Sequence, residues 1–168
     1  MSKRSSANLD ADSRHPAPSR QPIIIIADET LSVQAQLSNT LSADVSLISA
    51  INQDQLEYWL EDQEEQPDLL LLDQHFVGQQ VGLFCKNWQL NPNTRDIDLM
   101  VMGPDDDEFE VQALAAGALD YLRKPLNSKI CKLRIEKCLQ QRVTFQELER
   151  LSITDGLTKL ANRRYFDD

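Results

Sequence analysis

Two continuous runs of large apolar residues, each followed closely by an acidic residue, most constrain the fold of this chain. Residues 23–26 are four isoleucines followed by Ala27 and Asp28, and residues 69–72 are four leucines followed by Asp73. A short continuous apolar run is typical of a strand that is buried on both faces, as in a parallel sheet. The sequence therefore predicts parallel strands with carboxylates at their carboxyl ends.

The rest of residues 22–127 alternates between short strands and segments with apolar residues at helical spacing. Three further strands are predicted over residues 45–48, 97–102 and 119–123. The apolar positions that predict the four helices between the strands are Leu31, Val33, Ala35, Leu37 and Leu41; Leu56, Trp59 and Leu60; Leu83, Phe84 and Trp88; and Val111, Leu114 and Ala115. Such alternation implies right-handed crossovers and a parallel sheet. We therefore predict an α/β fold with a doubly wound, five-stranded parallel sheet.

Polar residues follow several of the predicted strands. Asp28 and Glu29 follow the first strand, Asp73 the third, Gly103 the fourth and Lys124 the fifth. In doubly wound folds, ligands bind at the carboxyl ends of strands. Gathered carboxylates repel each other unless a cation neutralises them, and oxygen ligands suit Mg²⁺. A lysine there can pair with a carboxylate or a phosphoryl group, and Asp73 could attack phosphorus to form an aspartyl phosphate.

Each of these residues has an ordinary structural explanation as well. A single Asp after a strand is commonly a helix cap or a turn residue, and a Lys-Pro pair is commonly a turn. The acidic run 104–108 is expected to cap and charge a helix N-terminus, which favours the helix dipole. Only the joint occurrence of the strand-end residues, in the right topological order, supports the phosphoryl-accepting site.

Composition limits the classes of partner and compartment. The net charge of −10 over 168 residues argues against a nucleic-acid-binding groove. No apolar run approaches the roughly 18 residues of a membrane span. Residues 1–21 are polar and rich in Ser, Pro and Arg, so we expect a disordered leader and no secretory signal. Cys85, Cys131 and Cys138 form no CxxC pair, which argues against a zinc site and suits a cytoplasmic protein.

Several phrases resemble the response-regulator receiver domain, across roughly residues 22–145. They are PDLLLLD at 67–73, AAGALDYLRKP at 115–125 and the pair Asp28-Glu29. The resemblance implies a flavodoxin-like receiver fold, Mg²⁺ as the cofactor, and a sensor histidine kinase or phosphotransfer protein as the partner. It implies these roles: Asp73 as phospho-acceptor, Lys124 as phosphate contact, Asp28 and the backbone carbonyl of His75 as metal ligands with Asp73, and Tyr121 as the aromatic switch.

The sequence departs from that family at two positions. Ala27 stands where the family usually has an acid that acts on the metal through water, so we expect weaker Mg²⁺ binding, with Glu29 as a possible replacement. Gly103 stands where the family has Thr or Ser, whose hydroxyl links phosphorylation to the switch residue, here Tyr121. The alternative function is therefore a degenerate receiver that is not phosphorylated and acts as a dimerisation scaffold.

The C-terminal part predicts a helical stalk and an output domain. Residues 128–153 contain no Gly or Pro and carry a drifting apolar stripe, so we expect a long signalling helix that dimerises weakly. Residues 154–166, TDGLTKLANRRYF, resemble the opening of a GGDEF diguanylate cyclase domain, as in Wsp-type response regulators. The GGDEF loop is absent from the 168 residues, so this chain is expected to be a fragment that cannot condense GTP by itself.

Two other α/β functions are less well supported. A phosphohydrolase on a similar sheet would have a second Asp two residues after the nucleophile, where this chain has His75. A dinucleotide-binding domain would have a glycine-rich turn after the first strand, and residues 27–32 contain no glycine. The expected organisation is thus a leader at 1–21, a receiver core at 22–127, a stalk at 128–153 and the start of a GGDEF domain at 154–168.

Overall fold

A computed structural model describes residues 20–155, apart from residues 42, 62, 63 and 79, and describes only the backbone of residues 153–155. Most of the expected leader and nearly all of the expected GGDEF opening lie outside the described residues. Arg20 and Gln21, at the end of the expected leader, contact the folded domain: the Arg20 guanidinium donates to Asp68, and the Gln21 amide donates to the Ala43 carbonyl at 2.9 Å.

Five parallel strands form one sheet, in the order β2-β1-β3-β4-β5. This confirms the predicted doubly wound α/β fold with a C-terminal helix. Strand β1 lies between β2 and β3, so the chain reverses its direction of winding next to β1, at the point where such folds bind ligands. The elements are β1 (Ile23–Ala27), α1 (Leu31–Thr40), β2 (Ser46–Ala50), α2 (Gln53–Glu61), β3 (Leu69–Asp73), α3 (Val81–Leu90), β4 (Asp98–Pro104), α4 (Asp107–Ala115), β5 (Asp120–Lys124) and α5 (Ser128–Asp155).

The two apolar runs supply the centre of two cores, one on each face of the sheet. Successive side chains of a strand point to opposite faces. Ile24 and Ile26 therefore pack with buried residues of α1 and α5, whereas Ile25 packs with buried residues of α2, α3 and α4. Because fully burying one such side chain contributes about 1.5–3 kcal/mol, runs that are apolar at every position are favoured only where both faces are covered.

The apolar spacing predicted the buried face of α1 only in part, since Leu37 and Leu41 are buried as expected, and it did not predict the buried face of α4. In α1, Gln34 and Leu37 are buried while Leu31 is 70% exposed. Ala35 is also exposed, because it lies two residues before Leu37 and so on nearly the opposite side of the helix. In α4, the small residue Ala113 is buried, whereas Val111 and Leu114 are exposed. The predicted stripes of α1 and α4 were therefore wrong in part, because small or amide side chains occupy the contacts with the sheet.

Helix α5 consists of two parts with different surroundings. Its first part packs on the sheet, where Cys131, Ile135 and Cys138 are buried. The part after Arg142 exposes its large apolar side chains, with Phe145 62% and Leu148 60% exposed. No helix in the described part of the chain is long and apolar enough to cross a membrane.

The acidic run before α4 acts as the sequence predicts. Asp106 is the N-cap residue of α4, and its side chain accepts hydrogen bonds from the backbone N–H groups of Glu108 and Phe109. Three acidic residues follow in the first turn, where they favour the helix dipole. The Arg123 guanidinium, on β5, pairs with the carboxylates around this turn and fixes the start of α4 to the sheet; its partners are Asp105, Asp107 and Glu110.

Candidate functional site

The carboxyl ends of three strands bring three of the predicted site residues together. Asp28 follows β1, Asp73 ends β3 and Lys124 ends β5. The Lys124 Nζ atom lies 2.6 Å from Asp28 Oδ2 and 2.8 Å from Asp73 Oδ1, so one ammonium bridges both carboxylates. Residues that are 96 and 51 positions apart in the chain thus form one charged cluster.

The two carboxylates of this cluster differ in their access to solvent. The Asp28 side chain is 1% exposed, and its Oδ1 atom accepts a hydrogen bond from the Thr30 backbone N–H at 2.8 Å. The Asp73 side chain is 14% exposed, and its Oδ2 atom accepts from the His75 N–H at 3.1 Å. Asp73 is therefore the carboxylate that a reagent from solution reaches.

The electrostatics of the cluster keep the lysine charged. Burial lowers the pKa of Lys124, but the hydrogen bonds and charges of Asp28 and Asp73 outweigh burial and raise that pKa above its ordinary value. An ammonium that is charged at neutral pH offsets the repulsion between the two carboxylates. It is also positioned to contact any further negative group that is added to Asp73.

A buried glutamine that the sequence analysis did not identify supports the loop after β1. Gln34 of α1 is 7% exposed, and its Nε2 atom lies 2.9 Å from the Ile26 carbonyl, 3.0 Å from the Asp28 carbonyl and 3.3 Å from the Ala50 carbonyl. These contacts hold the backbone that carries Asp28. The signal available in the sequence was a single amide within an otherwise apolar helical stripe.

The oxygen atoms at the site fit a hard divalent cation. Asp28 and Asp73 supply carboxylates, and the predicted backbone carbonyl of His75 lies in the turn directly after Asp73. Mg²⁺ commonly takes one or two carboxylates and completes its six ligands with water and phosphate oxygens. The Glu29 side chain is exposed. Lys124 pairs with Asp28 and Asp73 and not with Glu29. Among the described residues, no cluster of three or more His, Cys, Asp or Glu side chains could hold a metal.

The two predicted switch residues are also neighbours. Tyr121 of β5 is fully buried, and its hydroxyl donates a hydrogen bond to the Pro104 carbonyl at 2.8 Å. Burial, followed by the negative charge of Glu110, raises the pKa of Tyr121 to about 12. Gly103 precedes Pro104 on β4, directly beside this hydroxyl. The tyrosine is thus a neutral, buried group within the same end of the sheet as Asp73.

Comparisons with known proteins point to one class of signalling domain. The Phosphate regulon transcriptional regulatory protein PhoB of Escherichia coli is 33% identical over 96 residues, which is 56% of this chain and 42% of PhoB. The response regulator PleD of Caulobacter vibrioides is 27% identical over 85 residues, 50% of this chain and 19% of PleD. This chain therefore spans less than half the length of these curated relatives. No protein-family model matches the chain.

Solved structures share the fold. A putative response regulator from Chloroflexus aurantiacus superposes with a TM-score of 0.63 at 22% identity, over 72% of this chain and 99% of that protein. The signal receiver domain of a DNA-binding response regulator from Colwellia psychrerythraea gives a TM-score of 0.60 at 22% identity, over 71% of this chain and 98% of that domain. At such identities the structural likeness shows the fold alone. Together with the curated relatives, this likeness supports a receiver domain of the two-component response-regulator type in the matched part of the chain.

Proposed function

We propose that this receiver domain accepts a phosphoryl group on Asp73 from a histidine kinase or a phosphotransfer protein. The observation that carries the proposal is the pairing of one accessible carboxylate with a lysine that is already held at the site. The Asp73 side chain is partly accessible to solvent, the Asp28 side chain is buried, and Lys124 contacts both. The three free cysteines, all buried, suit the reducing cytoplasm in which we place the protein.

The transfer forms one bond and breaks one bond. An Asp73 oxygen attacks the phosphorus of a phosphohistidine, the new P–O bond forms, and the P–N bond breaks with its electron pair left on the imidazole, which takes up a proton from water. The His75 N–H, 3.1 Å from Asp73 Oδ2, orients the nucleophile. Lys124 stands within hydrogen-bond distance of the other oxygen and offsets the charge that the phosphoryl group brings.

Mg²⁺ is the cofactor that this arrangement would use. Asp28, Asp73 and the His75 carbonyl are the ligands that we assign to it, with Glu29 as a possible further ligand. When bound, Mg²⁺ would neutralise charge on the phosphoryl oxygens. With Ala27 in place of an acid, we expect weaker Mg²⁺ affinity than in receivers that carry two adjacent acids.

For the output, we propose that α5 connects this domain to a diguanylate cyclase that produces cyclic di-GMP. The support is the GGDEF-like motif at residues 154–166, which begins at the last two residues of α5 and continues beyond it in the sequence. The match to PleD, which is named a response regulator, is compatible with this output but covers only 19% of that protein. Phosphorylation would act by changing how two copies of the chain pair through their receivers and stalks.

The proposed dimer has support from exposed apolar side chains. Val111 of α4 is 63% exposed, and Leu133 of α5 is 67% exposed. Phe145, Leu148 and Leu151 are exposed at spacings of three residues on the outer part of α5. A second copy would bury such side chains favourably. The alternative, a receiver that is never phosphorylated and serves only as a dimerisation scaffold, would use these same surfaces.

A mass measurement separates the two functions. The chain is incubated with Mg²⁺ and a small phosphodonor, and intact mass is measured before and after treatment with base. We expect the mass of one phosphoryl group to appear and to be lost in base, since acyl phosphates are base-labile. Asp73→Asn should show no increase, whereas Asp105→Asn, which removes an exposed acid near the end of β4, should behave as the unmodified chain. A chain that never gains mass would leave the scaffold function as the better account.

A further inference from the structure

The backbone of Gly103 lies against two buried side chains that a larger residue would have to displace. A Cβ atom built on Gly103 would overlap the Tyr121 hydroxyl oxygen and would lie 2.7 Å from Gln74 Oε1 and 3.0 Å from Gln74 Cδ. Two other glycines, Gly78 and Gly117, have positive φ angles, and Gly103 does not. A Cβ at this position would therefore require the Tyr121 or Gln74 side chain to shift, whereas the backbone conformation does not require glycine.

The Tyr121 ring is held firmly in that space. The side chain is fully buried in the core on the α2, α3 and α4 face. Its hydroxyl donates to the Pro104 carbonyl at 2.8 Å, and this hydrogen bond holds the ring. The backbone carbonyl of Tyr121 accepts from Arg134 at 3.0 Å, which holds the strand rather than the ring. Because the hydroxyl oxygen would overlap a Cβ atom at position 103, the ring packs directly against Gly103.

Gln74 closes the same space from the side of the acceptor. It follows Asp73 in the chain, is 5% exposed, and its N–H donates to the Met102 carbonyl at 2.9 Å. Its Oε1 atom is buried without a hydrogen-bond partner among the described residues. Its Nε2 atom lies 3.2 Å from His75 Nε2. A buried amide thus lies against Gly103 one residue after the proposed phosphorylation site.

We propose that Gly103 and Gln74 form a fixed seat for Tyr121, and that this seat keeps the ring buried whether or not Asp73 carries a phosphoryl group. The Pro104 carbonyl then keeps its position with and without the phosphoryl group, because the Tyr121 hydroxyl binds it. The acidic start of α4 also keeps its position, because Arg123 pairs with its carboxylates. The signal from Asp73 must leave by a route other than movement of this ring. This consequence rests on the proposed phosphorylation, whereas the seat itself does not.

The first test asks whether Gly103 holds the ring. The chain is labelled with 3-fluorotyrosine, the Tyr121 resonance is assigned with Tyr121→Phe, and broadening by a dissolved paramagnetic agent is measured. We expect little broadening in the unmodified chain and a several-fold increase in Gly103→Ala, towards the value of Tyr58, which is 60% exposed. Gly82→Ala is the matched control, because a Cβ there would lie 3.8 Å from the Ala116 Cβ, an ordinary contact. A Tyr121 resonance that stays protected in Gly103→Ala overturns the seat.

A stability measurement covers the case in which Gly103→Ala does not fold well. Tyr121→Phe removes the atom that a Cβ at position 103 would overlap most. If the seat is correct, adding Tyr121→Phe to Gly103→Ala should recover much of the lost free energy of unfolding, measured by urea denaturation. Strict additivity of the two changes would contradict a direct fit between these residues.

The second test asks whether phosphorylation moves the ring. The labelled chain is treated with Mg²⁺ and the phosphodonor, and intact mass reports how much has been phosphorylated. We expect the Tyr121 resonance to remain protected at full phosphorylation, and a several-fold gain in broadening would overturn the proposal. If the mass shows no phosphorylation, the proposed function fails, and the comparison of Gly103→Ala with Gly82→Ala still decides the seat.

Discussion

At the scale of single residues, the Lys124 ammonium lies between two carboxylates that differ in their exposure to solvent. Asp28 is almost completely buried and has one further hydrogen bond, from the Thr30 N–H. The Asp73 carboxylate is more exposed and can be solvated by water. Removing the lysine therefore affects the two acids unequally, because an uncompensated charge is costly mainly where water is excluded.

Lys124→Ala should lower the free energy of unfolding by about 2–3 kcal/mol at neutral pH, because it leaves the buried Asp28 carboxylate without its counter-charge. Urea denaturation measures this loss. The same variant should gain phosphoryl mass much more slowly than the unmodified chain. Lys86→Ala removes an exposed lysine of α3 and should change neither property. Equal stability of the two variants would mean that Lys124 does not neutralise Asp28.

The sequence was sufficient to predict that Asp28, Asp73 and Lys124 lie together at the strand ends, but it did not predict the amides around them. Asp73 comes directly after four leucines, and Lys124 comes directly after the predicted strand at residues 119–123. The pattern of strands therefore predicted that both residues lie at strand ends. Gln34 and Gln74 act through contacts with backbone and with Gly103, and these contacts exist only after distant segments have packed together. Gln34 shares the helical spacing of the buried Leu37 and Leu41, but no spacing in the sequence marks Gln74 as buried.

At the scale of elements, a charged cluster at the amino ends of the strands holds the middle of α5. The Asp68 side chain, 12% exposed, accepts from Arg142 of α5 at 3.3 Å, from Arg20 at 3.0 Å and from the Ile23 N–H at 2.8 Å. Arg142 also lies 3.6 Å from Asp98. Beyond this cluster, no apolar side chain in the described part of α5 is buried.

Asp68→Asn should lower the free energy of unfolding by about 2 kcal/mol, because it removes a nearly buried charge that two arginines share. Urea denaturation checks the value. Glu147→Gln breaks an exposed ion pair with Arg150 and should have little effect, since surface pairs are well solvated. If Asp68→Asn were as stable as Glu147→Gln, the cluster would not anchor α5.

The outer part of α5 is expected to pair with a second copy. Leu148→Glu places a charge in the exposed apolar series and should weaken self-association at least tenfold, measured by sedimentation over a range of concentrations. Gln146→Glu adds the same charge nearly opposite on the helix and should leave association unchanged. An unmodified chain that stays monomeric at all concentrations, with and without phosphodonor, would contradict the proposed dimer.

Helix faces were harder to predict than strands. The strands required only that every position be apolar, which four isoleucines and four leucines satisfy without ambiguity. In α1 and α4 the apolar residues cover more than one face, and the packing between sheet and helix selects the face with Gln34 or Ala113. The face of each helix that stays exposed to solvent is therefore decided by tertiary packing and cannot be predicted from the apolar spacing alone.

At the scale of the whole molecule, strand β3 separates the proposed acceptor from the anchor of α5. Asp73 ends β3, and Asp68 directly precedes it. Five residues of extended strand span about 16 Å. With Tyr121 fixed in its seat, a signal that reaches the stalk must be carried by the sheet and the α5 contacts or by the surfaces between two copies.

Trapping the acceptor chemically tests the central claim most directly. The chain is treated with Mg²⁺ and phosphodonor and then with borohydride, which reduces an acyl phosphate to an alcohol and converts the modified aspartate to homoserine. Peptide mass spectrometry then identifies the position. We predict homoserine at position 73 alone, dependent on the phosphodonor. No homoserine, or homoserine only at another acidic residue, would contradict the assignment of Asp73 as the phosphoryl acceptor.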